Sequence, residues 1–125
     1  MNKISIIALE NIKELALKTN NYLKKMNNEN NDYLIPIEEI RFSNGEGKIL
    51  LKTIRGSEAY IMTDIGNHSI SYQMYGIENH KSPDDHYQDT KRIISAIRGH
   101  AESITLIMPL LYSSRQHRRK SRESL

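Results

Sequence analysis

An α/β fold is predicted, with a mainly parallel sheet flanked by helices and a β-hairpin added to it. Three observations carry the prediction. Apolar β-branched runs alternate along the chain with stretches of helical period, Asn44-Gly45 separates two strand-like segments, and Ser82-Pro83-Asp84-Asp85 opens a helix that leads into the apolar run Ile104 to Leu111. The length of 125 residues suits one domain, and 38% hydrophobic with 26% charged residues is the balance of a polar globular chain, not a fibrous one. Without cysteine there is no disulfide framework, no thiolate zinc site and no cysteine nucleophile. No apolar run approaches the roughly 20 residues that cross a bilayer, and the stretch from Met1 to Ala8 is too short for a secretory signal, so a cytoplasmic location is expected.

Ile4 to Ala8 reads as a first strand. Leu9, Ile12, Leu15, Ala16, Thr19, Leu23 and Met26 recur at three- and four-residue steps, which predicts a helix with these residues on its buried face. The polar run Asn27 to Asp32 ends it, because it has nothing apolar to bury and asparagine favours turns. Tyr33 to Phe42 and Lys48 to Ile54 form a hairpin in which Asn44-Gly45 supplies the positive φ values of a tight turn. Arg55-Gly56-Ser57 turns the chain again, and Ala59 to Thr63 reads as a buried strand.

Gly66 to Lys81 shows no clear period and is read as a long loop with a short helix at Ser71 to Tyr75. Ser82 is an N-cap, Pro83 takes the first helical position, and the helix runs to about Arg98, where Gly99 ends it in a left-handed conformation. Ile104 to Leu111 is expected to be a strand covered on both faces, parallel to the Tyr60 strand through the helical crossover.

The net charge of +3 is unevenly placed. Five basic residues and one acidic residue lie between Arg115 and Leu125, leaving 13 basic and 14 acidic groups in the other 114 positions. A polyanion would therefore meet the basic tail and not a basic face of the body. Nucleic acid is not the expected partner, because no aromatic residues are interleaved with the basic ones. The five histidines lack metal-ligand spacing and are read as scattered surface residues. Asp84, Asp85 and Asp89 could hold a hard cation, but carboxylates early in a helix already complement its dipole, and the structural reading is preferred. No phosphate-binding loop or dinucleotide fingerprint is present.

Two stretches remain for chemistry. Arg115 and Gln116 follow an apolar strand, where open α/β sheets place ligands and arginine can clamp phosphate. Phe42, Asn44 and Glu46 lie at the hairpin turn. Arg41-Phe42-Ser43-Asn44-Gly45-Glu46, Ile54-Arg55-Gly56, Tyr60-Ile61-Met62 and Ile107-Met108-Pro109-Leu110-Leu111-Tyr112-Ser113-Ser114-Arg115-Gln116 together resemble the ribose-phosphate pyrophosphokinases in order and spacing. Glu14-Leu15-Ala16 through Tyr22-Leu23 also resembles the family's first helix, so the likeness spans nearly the whole chain but covers only the family's N-terminal domain.

The resemblance implies a phosphoribosyltransferase-like N-terminal domain at residues 1–114 and a mobile basic nucleotide-loop segment at 115–125. It implies transfer of the β,γ-pyrophosphoryl group of ATP to ribose 5-phosphate with magnesium. By resemblance, Phe42 stacks on adenine while Asn44 and Glu46 bond its edge in a neighbouring subunit's site, and Arg115 and Gln116 bind ATP from the subunit that owns the site. An aromatic face with an amide and a carboxylate is chemistry that suits an adenine base.

His117 stands where many members have aspartate, the basic stretch after it is one residue shorter than the commonest form, and Gly66 to Lys81 is longer than the usual loop. The family's metal-binding histidine, flexible catalytic loop and ribose phosphate loop have no counterpart before Leu125. The 125 residues alone are therefore expected to be catalytically silent, with no catalytic residue and no magnesium ligand of their own. Expected partners are ATP, ribose 5-phosphate if a C-terminal domain completes the site, and either further copies of the chain or full-length synthetase subunits. A non-catalytic partner of a full-length synthetase is the alternative.

Overall fold

The computed structural model describes residues 3–124; Met1, Asn2 and Leu125, the ends of the predicted domain ranges, lie outside them. Three strands form the main sheet: β1 (Lys3–Ala8), β4 (Ser57–Met62) and β7 (Ser103–Ile107), in the order β1-β4-β7 with both pairings parallel. Ile6 lies opposite Tyr60, and Tyr60 opposite Thr105. Between β1 and β4 come a single 3-10 turn (Glu10–Ile12), α1 (Lys13–Asn27) and the antiparallel hairpin of β2 (Ile37–Arg41) and β3 (Gly47–Leu51). A second hairpin, β5 (Ser71–Met74) with β6 (Ile77–His80), and then α2 (Pro83–Ile97) link β4 to β7. The predicted parallel crossover through the second helix is therefore present.

The two-residue period of the strands divides the core into two layers. Ile7, Ala59 and Ile61 point to one face, where Ile93 and Ile97 of α2 and Ile49 of the first hairpin close over them. Ile6 and Met62 point to the other, against Ile12 and Ala16. Buried polar groups tie the pieces together. Asn20 Oδ1 accepts from the backbone of Tyr33 at 2.8 Å and Leu34 at 3.1 Å, and its amide donates to Asp32 at 3.0 Å, so the polar connection after α1 is folded back onto the helix. Asn11 likewise binds Thr63 Oγ1 at 3.1 Å and the Asp64 N–H at 2.8 Å, closing the carboxyl end of β4.

Several expectations need correction. Leu15 and Met26 are exposed, because a narrower stripe, Ile12 of the 3-10 turn with Ala16 and Leu23 of α1, packs against the sheet. The first hairpin's strands are shorter than predicted and its connection is five residues, Phe42 to Glu46, with positive φ at Gly45 but not at Asn44. Gly66 to Lys81 is not a loop with a helix at Ser71 to Tyr75. Its second half is a hairpin with a two-residue turn, Tyr75-Gly76, which an irregular polar sequence concealed. α2 ends with Arg98 at φ 57 and Gly99 at φ 71, so the left-handed cap begins one residue before the glycine.

The largest correction concerns Ile104 to Leu111. Only Ser103–Ile107 is a strand, and it is an edge strand exposed along its whole length instead of covered on both faces.

Candidate functional site

The turn after β2 is a compact unit. Gly45 N–H donates to Phe42 O at 2.9 Å, Phe42 N–H to Glu46 O at 2.8 Å, and the Asn44 side chain accepts from Glu46 N–H at 3.0 Å. Gly45 is needed for its backbone, whose φ is +93°, and a Cβ there would lie 2.8 Å from Met74 Sδ and displace that side chain. The turn folds with Phe42, Asn44 and Glu46 exposed, so an aromatic face, an amide and a carboxylate sit together at one tip.

What holds this tip is a buried charge network that sequence reasoning did not identify. Arg41 donates through Nη1 to Gly45 O at 2.9 Å and through Nη2 to Asp89 at 3.1 Å. Asp89 also accepts from Lys81 Nζ at 3.0 Å and from Arg92 at 2.6 Å, and Lys81 reaches back to Glu39 at 3.2 Å. Burial by itself would raise the Asp89 carboxyl, but the hydrogen bond and charge of Lys81, the Arg41 guanidinium and the Arg92 hydrogen bond outweigh it and hold it below the ordinary carboxylate value. Arg41 Nε finds no hydrogen-bond partner, and the guanidinium instead lies over the Tyr72 ring, 4.8 Å from its centroid. One signal was readable: Asp85 and Asp89 share a helix face four residues apart, and Arg41 contacts both.

The second hairpin braces the same turn. Tyr75 N–H donates to Ser43 O at 2.8 Å, and Met74 fills the space that Gly45 leaves. Tyr75 has φ +51°, beside Gly76 at φ +78°. A tyrosine in this left-handed region costs roughly 1–2 kcal/mol that asparagine or glycine would largely avoid.

Arg115 and Gln116 occupy a different strap. After β7 the chain turns at Tyr112, whose ring stacks on Tyr87 of α2 with centroids 4.3 Å apart and planes at 17°. The Tyr112 hydroxyl donates to Asp84, also on α2. Arg115 and Gln116 are both exposed, and Gln116 donates to Glu123. The two groups of predicted residues are thus rooted on the same helix, through Asp85 and Asp89 for one and Asp84 and Tyr87 for the other, while no hydrogen bond joins them among the described residues. The clefts alongside α1, lined by residues such as Lys13, Leu17 and Asn20, contain none of the five.

Asp84, Asp85 and Asp89 are each engaged within the protein: Asp85 completes the cap with Ser82, accepting from its N–H at 2.8 Å. Among the described residues no group of three or more His, Asp or Glu side chains is arranged to hold a metal ion. His86 is a correction to the surface reading of the histidines: it is buried, and its Nε2 bonds Asn67 O at 2.7 Å, while His68, His80, His100 and His117 are exposed. No helix among the described residues is long and apolar enough to cross a membrane.

Compared with known protein families, residues 4–125 match the model described as the N-terminal domain of ribose phosphate pyrophosphokinase. A search of curated proteins returned no match.

Proposed function

Because the chain belongs to the family of ribose phosphate pyrophosphokinase N-terminal domains, we propose that it carries the nucleotide-binding half of a site that makes phosphoribosyl pyrophosphate from ATP and ribose 5-phosphate. The observation that carries this reading is the exposed tip at Phe42, Asn44 and Glu46, anchored by Arg41 to a buried network. Phe42 offers a π-face to adenine, and Asn44 and Glu46 offer the donors and acceptors of a base edge. Arg115 and Gln116 on the second strap meet phosphate, where the guanidinium can make paired hydrogen bonds.

By the family resemblance, two copies, each lending the exposed tip to the other's strap, form the binding unit in this reading. Pyrophosphoryl transfer depends on positioning and charge stabilisation. By the family resemblance the ribose phosphate loop and the metal-binding histidine are not among these 125 residues, so in this reading they bind nucleotide by themselves and do not turn over.

Calorimetric titration of the 125-residue chain with ATP tests the proposal. Binding that weakens at least tenfold in both Phe42→Ala and Arg115→Ala is expected, with no AMP formed when ribose 5-phosphate is added. Equal affinity in wild type and both variants refutes it.

The exposure of β7 favours a second reading, in which the chain joins full-length synthetase subunits as a non-catalytic partner. Mixing with a purified synthetase separates the two: a stable mixed complex supports partnership, and independent elution of both proteins argues against it.

A further inference from the structure

The Ser71–His80 hairpin is docked on the motif tip. Its turn residue Tyr75 combines three properties. Its φ is +51°, a conformation a β-hairpin turn of this kind ordinarily gives to asparagine or glycine. The residue is 72% exposed, so the ring contributes little to the core in exchange for that strain. Its N–H donates to the carbonyl of Ser43, the residue after Phe42, at 2.8 Å, which fixes Tyr75 beside the tip and not at a remote surface. The brace is specific along its length, with Tyr72 under the Arg41 guanidinium and Met74 against Gly45. Strain held at an exposed position by the surrounding structure points to use of the side chain.

We propose that Tyr75 is a nucleotide-contacting residue, presented by the second hairpin as an additional aromatic surface beside Phe42 for the base of the bound nucleotide. The inference rests on the nucleotide reading above and extends it to a segment that the family motifs do not include. Phe42 and Tyr75 lie on separate hairpins joined by the Tyr75–Ser43 hydrogen bond, so the two residues sit on adjoining turns. An aromatic ring stacked on a base strengthens binding by about tenfold or more, with little dependence on which base it is.

The decisive variant is Tyr75→Asn, which suits the left-handed turn better than tyrosine and removes the ring. Thermal melting and calorimetric ATP titration are made on the same 125-residue chain, beside Phe42→Ala and Tyr75→Phe. The expected result is opposite signs in Tyr75→Asn: a melting midpoint raised by a few degrees and ATP affinity lowered about tenfold, with Tyr75→Phe retaining affinity. Unchanged ATP affinity in Tyr75→Asn, while Phe42→Ala still loses it, overturns the role of Tyr75 and leaves the nucleotide reading intact. A lowered midpoint with unchanged affinity assigns the ring to packing, and loss of self-association with unchanged affinity assigns it to contact between copies; both overturn the proposal. Absence of ATP binding by the wild-type chain overturns the nucleotide reading and the proposal with it.

Discussion

Asp89 is the residue on which the motif tip depends. It is buried at 2% exposure and accepts from Arg41, Lys81 and Arg92, so its removal strands cations that have been taken out of water. Asp89→Asn keeps the shape but deletes the charge, and breaking a buried network in this way costs about 3–5 kcal/mol. Urea titration at neutral pH measures the loss. The dependence on pH has a definite direction. Because the native Asp89 carboxyl is held below its ordinary 3.8, its stabilisation is complete above that value and is withdrawn as pH falls through the lower native value. The stability difference between wild type and Asp89→Asn therefore narrows on acidification below about pH 4, and a gap independent of pH would show that the charge is not what the network uses.

At the scale of elements, α2 is the platform. Its N-terminal half receives Arg41 from the first hairpin and Tyr112 from the strap after β7, so the position of that end governs both groups of candidate nucleotide contacts. The end is secured by a reciprocal cap: Asp85 N–H donates to Ser82 Oγ at 3.1 Å, and Ser82 N–H to the Asp85 carboxylate at 2.8 Å. Ser82→Ala opens half of this box and costs about 1 kcal/mol in a chemical denaturation experiment. In the proposed nucleotide reading the effect on ATP affinity is smaller than that of Phe42→Ala, because the cap supports the platform and is not among the proposed contacts. The two hairpins differ in what they contribute to the fold. The first closes the core through Ile49, whereas the second is attached chiefly through its contacts with the tip.

At the scale of the whole molecule, the main feature is an unfinished edge. β7 pairs with β4 on one side only, and Ile104, Leu106 and Ile107 are between 38% and 44% exposed, with Leu110 and Leu111 exposed beyond them. An exposed apolar edge strand is a template for association. Self-association that rises with concentration is expected in sedimentation velocity runs, and Leu106→Lys, which places a charge on that edge, reduces it without lowering the melting midpoint. A lowered midpoint would show that Leu106 serves the chain's own core instead.

The sequence by itself determined the alternation of strands and helices, the Ser82 cap and the turn of the motif tip, since each is set by local chemistry: period, turn residues and side-chain hydrogen bonds within a few positions; the parallel crossover follows from that alternation through the handedness of strand–helix–strand connections. Arg41-Phe42-Ser43-Asn44-Gly45-Glu46 was legible as a turn because its residues are contiguous, and as a candidate site through the family resemblance. Only the tertiary structure decided that Arg41 anchors that tip on Asp89, 48 positions away, that Lys81 joins the same network, and that Gly66 to Lys81 folds into a hairpin braced on Ser43. It also decided that Ile104 to Ile107 lies open on a sheet edge, because an apolar run records a strand's need for cover and only the neighbouring elements supply it. Buried charge and strand covering are properties of residues brought together from distant positions, and no local pattern encodes which distant residue arrives.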